Sequence, residues 1–297
     1  MISKKAMRPW LALGLAALLA GCSTSKAPEA PAPAPVKVKI GLALGGGAAK
    51  GFAHIGVIKV LEGAGIVPDI ITGTSAGSVV GSLYASGLNG VQLQQRAMAL
   101  DQADLTDWTL STKGVLKGEK LQNWINAQVG NKPLEKLPRP FGAVATELDS
   151  GRKVVFRVGN TGQAVRASAS IPNVFLPVKI GGKRYVDGGL VSPVPVSAAK
   201  EMGAQFVIAV DITARPKPGK AVGFLSMLDQ SLNIMNGPAL ALELKQADVV
   251  IRPDVLDIGS ADFDSRNQAI LEGEKAAQQM LPQIRKLLQQ KSLELAK

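Results

Sequence analysis

Asp69-Ile70-Ile71-Thr72-Gly73-Thr74-Ser75-Ala76-Gly77-Ser78-Val79-Val80-Gly81-Ser82-Leu83-Tyr84-Ala85 (residues 69–85) is the stretch on which the reading of this chain turns. Residues 69–71 form a short apolar run of strand character, and Ala76–Ala85 reads as a helix of small and apolar residues. Between them stands Gly73-Thr74-Ser75-Ala76-Gly77, a G-x-S-x-G pattern. A strand that turns sharply into a helix needs small residues on both sides of the turn, and it lifts the side chain at the apex clear of the sheet. The following helix aims free N–H groups and the positive end of its dipole at that apex. Ser75 is therefore a candidate nucleophile, with Gly73 and Gly77 as the residues that permit the elbow.

Upstream, residues 36–44 are rich in β-formers and end at Gly45-Gly46-Gly47-Ala48-Ala49-Lys50-Gly51. Residues 51–63 then carry Phe52, Ile55, Ile58 and Leu61 at near-helical spacing. Strand, glycine loop, helix, strand, sharp turn, helix is the order of an α/β fold, a parallel sheet with helices on its faces. Residues 91–135, with Trp108 and Trp124, are more polar and helical and read as an insertion or cap. Strand character returns at residues 141–146 and 154–158, joined through a turn at Asp149-Ser150-Gly151. It returns again at Phe206–Val210 and at residues 247–251, and a helical tail begins near Arg266.

A serine nucleophile needs a base. The chain has a single histidine, His54, which shares a helix side with Val57, Ile58 and Leu61 and so reads as a core residue. That leaves a carboxylate. Asp187, in Tyr185-Val186-Asp187-Gly188-Gly189, follows a strand-like stretch and precedes two glycines, although Asp-Gly-Gly is also an ordinary turn. A free aspartate, with a pKa of about 3.9, is a poor base toward an alcohol. It must be desolvated and touch the hydroxyl to serve. The glycine loop can aim backbone N–H groups at an oxyanion, or cradle a phosphate. Its register disfavours the phosphate. G-x-G-x-x-G counted from Gly45 meets Lys50 at its last place, and Lys50 precedes a glycine rather than following one.

Taken together, these segments resemble the patatin-like phospholipases, over residues 39–252. Gly-Gly-Gly-Ala-Ala-Lys-Gly-Phe-Ala-His-Ile-Gly-Val (residues 45–57) is similar to the family's glycine loop and first helix, and Asp187-Gly188-Gly189 to its Asp-Gly-Gly/Ala. Ala145-Thr146-Glu147-Leu148 and Ala167-Ser168-Ala169-Ser170-Ile171-Pro172 resemble two further segments. The resemblance implies a three-layer α/β/α fold with a mainly parallel sheet and a Ser75–Asp187 dyad. It implies an oxyanion hole of N–H groups around Gly46, Gly47 and Ala48, with Ala76 as a further donor, and Gly45, Lys50 and Gly51 shaping the loop. No metal or cofactor is expected. Two positions depart from the pattern: Ala48 stands where many members have glycine, and Lys50 where many have arginine. Ala48 matters if that position needs positive φ. Lys50 keeps the charge without the planar fork. Those departures motivate the alternative of a catalytically weak or inactive membrane-anchored interaction protein.

The front of the chain reads as an address. Lys4, Lys5 and Arg8 precede an apolar stretch from Trp10 to Ala20, too short for a stable span, and Leu19-Ala20-Gly21-Cys22 follows. The tetrapeptide resembles the bacterial lipobox, which implies removal of residues 1–21 as a signal peptide and acylation of Cys22. More than one acyl chain would give stable anchoring. Ser23, where an aspartate retains lipoproteins in the inner membrane, favours the outer membrane with the domain facing the periplasm. Residues 22–36 are an Ala/Pro tether able to span roughly 40 Å as extended chain. The acyl-hydrolase domain is expected over residues 37–297.

Composition agrees with a single large domain. The 297 residues are 46% hydrophobic but only 4% aromatic, and Cys22 is the only cysteine, so no internal disulfide forms. The formal charge is +11, and setting aside Lys4, Lys5 and Arg8 leaves +8. That excess favours anionic surfaces such as phospholipid headgroups. Nothing in the sequence offers the recognition elements of a nucleic-acid binder, so the expected partners are a phospholipid or other acyl ester and the membrane, and no nucleic acid.

Overall fold

The sheet is built from strands whose side chains alternate between two helical layers. In β1 (Ile40–Leu44), Leu42 and Leu44 enter a large core, while Ala43 enters a smaller one on the opposite face. The computed structural model describes residues 36–101, 116–215 and 224–297. The expected signal peptide, Cys22, nearly all of the tether, and Trp108 lie outside the described residues.

After β1 come a 3-10 turn (Ala48–Phe52), α1 (Ala53–Gly63), β2 (Ile70–Thr74) and α2 (Ala76–Ala85). Then follow α3 (Gly90–Ala99), α4 (Glu119–Gln128), β3 (Phe141–Glu147), β4 (Lys153–Phe156) and α5 (Thr161–Ser168). The chain continues through β5 (Val178–Ile180), β6 (Lys183–Asp187), α6 (Val196–Glu201) and β7 (Phe206–Val210). It closes with α7 (Phe224–Leu244), β8 (Val249–Ile251) and α8 (Arg266–Leu295). The sheet order is β5-β6-β3-β2-β1-β7-β8, with β4 also paired to β3. β3, β2, β1, β7 and β8 are mutually parallel, and β4, β5 and β6 form an antiparallel annex. This is the three-layer α/β/α arrangement with a parallel centre that the sequence implied.

The larger core joins Leu42, Leu44, Ile71 and Phe141 to side chains of α1, α2, α3 and α8. Each fully buried aliphatic or aromatic side chain contributes about 1.5–3 kcal/mol through the water it leaves behind. α1 and α8 cross closely because both lack bulk at the crossing. A Cβ on Gly56 would lie 2.0 Å from the Ile270 carbonyl, and one on Gly273 would lie 2.0 Å from that of Ala53. On the opposite face α6 and α7 bring Val196, Ala199 and Leu240 against Ala43, Val207 and Ala209. Among the described residues no helix is long and apolar enough to cross a membrane.

β2 runs three residues beyond the apolar pair that announced it. Thr72 and Thr74 are fully buried, yet their hydroxyls donate to the carbonyls of Pro195 (2.9 Å) and Ser192 (2.8 Å). Buried threonines with partners are good strand residues. In the 91–135 region, α3 packs on α1 and α4 on α5, so these parts extend the helical layer. Residues 102–115 of that region lie outside the described residues.

Candidate active site

The elbow is sterically closed to anything but glycine on either side. A Cβ on Gly73 would stand 2.3 Å from the Gly77 carbonyl oxygen, and one on Gly77 would stand 2.1 Å from that of Leu44. Ser75, at the apex between β2 and α2, has φ 52° and ψ −121°. A side chain with positive φ is strained, and the surroundings must hold it there. Ser168 does so: its Oγ accepts the Ser75 N–H at 3.0 Å and donates to the Val144 carbonyl at 2.5 Å.

Asp187 ends β6, beside Ala145 of β3. Its N–H donates to the Ser170 carbonyl at 2.9 Å. The segment Ser168–Ser170 thus grips the backbone of Ser75 with one residue and that of Asp187 with another. Gly188 is needed for closeness, since a Cβ there would lie 2.1 Å from the Val144 carbonyl. The Gly189 N–H donates to Asp187 Oδ1 at 2.7 Å. Burial pushes the Asp187 carboxyl from 3.8 up to about 6, against the stabilising pull of the Ser75 hydroxyl and the Gly189 N–H. Oδ2 is buried and has no hydrogen-bond partner among the described residues. The Ser75 hydroxyl is the side-chain donor close enough to act on this carboxyl.

The glycine loop follows β1 at the same sheet edge. Gly45 N–H donates to the Val210 carbonyl at 3.0 Å and Gly46 N–H to that of Pro193 at 2.9 Å. Gly46 lies against the nucleophile, where a Cβ would come within 3.3 Å of that of Ser75, but its N–H is already engaged. Gly46 is thus a close-approach residue in this structure rather than a free donor, which corrects its expected place in the oxyanion hole. The N–H groups of Gly47 and Ala48 have no partner among the described residues. Ala48 has φ 50°, so its Cβ does sit where glycine is favoured. Lys50 is buried in the turn, its N–H donating to the Gly47 carbonyl at 3.1 Å. A Cβ on Gly51 would approach that of Ala76 to 2.7 Å, so this glycine lets the loop meet the start of α2.

His54 is fully buried on α1, and its Nε2–H donates to the Gly45 carbonyl at 2.8 Å. Burial drives its pKa down to about 4, so the ring is neutral at physiological pH. Its Nδ1 is buried without a partner among the described residues. The histidine pins the glycine loop from behind. Sequence reasoning took it for core and missed this bond, as it missed the grips of Ser168 and Ser170. Only the likeness of residues 167–172 to a family segment pointed there.

A hydroxyl at a strained elbow, a desolvated carboxylate beside it and unengaged N–H groups nearby are the parts that nucleophilic acyl substitution requires. All stand at the carboxyl ends of β1 and β2 or at the turn after β6. Cys22 lies outside the described residues.

Known proteins resemble this chain in sequence. An NTE family protein of Mycobacterium tuberculosis, itself uncharacterized, is 38% identical over 172 residues, 57% of this chain and 48% of that protein. Patatin-like phospholipase domain-containing protein 6 of Mus musculus is 34% identical over 177 residues, 57% of this chain but 13% of that protein. The chain spans about half the length of the mycobacterial relatives it matches. Among solved structures, VipD from Legionella pneumophila superposes with a TM-score of 0.60 at 14% identity, covering 84% of this chain and 68% of that one, a likeness of fold. The model of the patatin-like phospholipase family matches residues 42–200, from within β1 into α6, and so takes in the glycine loop, the serine elbow and the Asp-Gly-Gly turn. The chain belongs to the patatin-like phospholipase family.

Proposed function

We propose that this chain is a lipid acyl-hydrolase that works through a Ser75–Asp187 dyad. Ser75 Oγ attacks the ester carbonyl while Asp187 Oδ2 accepts its proton. The N–H groups of Gly47 and Ala48, with that of Ala76, take the charge that develops on the carbonyl oxygen. Asp187 returns the proton to the departing alcohol, leaving an acyl-enzyme on Ser75. Water, deprotonated by the same carboxylate, then attacks the acyl-enzyme and releases the fatty acid and free serine. The observation that carries this reading is the buried Asp187 carboxyl, raised to about 6, with one oxygen unsatisfied beside the elbow serine. Such a carboxylate is a far better base than a solvated one.

In the same reading, residues 1–21 are a signal peptide and Cys22 is acylated. Residues 22–36 form the tether and residues 37–297 the hydrolase domain, held at the outer membrane facing the periplasm. Mass spectrometry of phospholipids incubated with the protein tests the chemistry: wild type releases fatty acid and Ser75→Ala does not. Equal release by both, or none by wild type, sinks the reading. The intact mass of protein extracted from membranes tests the anchor, which requires acyl groups on an amino-terminal Cys22.

A further inference from the structure

α7 turns an uncharged apolar face to solvent. Met227, Ile234, Met235, Pro238 and Leu242 are all exposed, Met235 by 72% and Leu242 by 67%. At 100° per residue these positions, with Ser231 and Ala241, share one side of the helix over about 22 Å. Its opposite side holds the buried Leu240 and Glu243. Exposed apolar residues scattered singly need no explanation, but a continuous stripe does. The stripe is also tied to the catalytic turn. α7 packs on Gly188–Leu190, directly after Asp187. Glu243 accepts hydrogen bonds from Ser192 Oγ (2.5 Å) and from the Ser197 N–H (2.7 Å). Because β7 and β8 are parallel, α7 must start at the sheet edge that carries the dyad and run back to the other.

We propose that this face of α7 seats on the surface of a lipid bilayer and brings the mouth of the site to membrane-embedded ester. The inference rests on the lipid acyl-hydrolase reading for its substrate. A lipid surface, rather than a protein, is favoured by the rim of the stripe. No acidic side chain is among its described exposed residues, and exposed Lys245 follows its end. Arg215 and Arg252, both about half-exposed, share the buried Asp211 carboxylate beyond the end of β7, so this trio at the edge from which α7 sets out keeps one net positive charge. An apolar face with an excess of positive charge toward its two ends suits an anionic interface. Methionine adds a flexible chain that adapts to an irregular partner such as acyl tails.

Two measurements on the full chain test this. Bimane is attached at Ile234→Cys or, as control on the far helical layer, at Lys275→Cys. The protein is reconstituted in phosphatidylethanolamine and phosphatidylglycerol vesicles that carry nitroxide-labelled acyl chains. Emission from position 234 is expected to shift to the blue and be quenched, while that from 275 stays as in water. Equal behaviour at both positions overturns the proposal, as does a blue shift at 234 without lipid that grows with protein concentration, the mark of a second copy on the face. The second measurement compares Ile234→Asp/Met235→Asp with wild type. It should hydrolyse a short soluble ester at the wild-type rate and vesicle phospholipid at least about tenfold more slowly, since each apolar side chain withdrawn from lipid loses a transfer free energy of that order. Equal loss on both substrates, or none on either, overturns the proposal. Should wild type hydrolyse neither substrate, the acyl-hydrolase reading fails instead, and quenching at 234 still decides the docking.

Discussion

Replacing Asp187 by Asn should make the protein more stable at neutral pH while removing its activity. The carboxyl is held near 6 in the folded chain against 3.8 for the exposed group, because burial opposes its charge. Each pKa unit is about 1.4 kcal/mol, so the ionised form costs the fold about 3 kcal/mol at neutral pH. The direction follows from proton counting. Between 3.8 and about 6 the folded state binds more protons than the unfolded state, so stability falls as pH rises through that window and stays lowered above it. Asn keeps an oxygen for the Gly189 N–H and carries no charge. Urea unfolding of wild type and Asp187→Asn at a series of pH values reads the difference directly. The variant should gain little near pH 4 and up to about 3 kcal/mol near pH 7.5, with the gain appearing between the two. Other carboxylates, such as Asp69 and Asp262, which hydrogen bonds hold below the usual range, titrate in both proteins and cancel. A variant no more stable than wild type at neutral pH, or a difference that ignores pH, would refute the idea that burial charges this carboxyl with proton affinity.

Ala48→Gly should relieve the strain of a Cβ at φ 50° and raise stability by about 1 kcal/mol in urea unfolding, with hydrolysis retained or faster. His54→Ala should lower stability by about 2–4 kcal/mol, because it orphans the Gly45 carbonyl and leaves a cavity, yet the folded fraction should keep substantial turnover. A folded, dead His54 variant beside a working Asp187→Asn would move the base to the histidine. Ser168→Ala should cost about 1–3 kcal/mol by stranding the Ser75 N–H and the Val144 carbonyl, and turnover should fall with KM little changed as the elbow loosens.

The elbow and the first half of the fold were legible because local rules and tertiary needs agree there. Gly73 and Gly77 are required because a Cβ on either would come within 2.3 or 2.1 Å of a backbone carbonyl, which is the steric demand the G-x-S-x-G pattern expresses. The helix over Ala76–Ala85 and the strand over Phe206–Val210 have the bounds their apolar patterns announced. β2 was read too short because Thr72 and Thr74 look polar, and only their distant carbonyl partners make them strand interior. α7 was not anticipated at all. Its outward face is apolar, so the contrast that marks a half-buried helix is missing. The engagement of Gly46 by Pro193 was hidden for a similar reason: the residues are far apart in sequence and the bond is made by backbone. The role of His54 was half visible. Its burial followed from its neighbours on α1, but its bond to Gly45 depends on how the loop folds back.

The proposed dyad is tested most directly by the rate at which a fluorophosphonate acylation mimic labels the protein across pH, with the modified peptide identified by mass spectrometry. The account predicts one adduct, on Ser75, forming at a rate that rises with pH through a single ionisation near 6 and collapses in Asp187→Asn. An adduct on another residue, or labelling of Asp187→Asn at the wild-type rate, would contradict it.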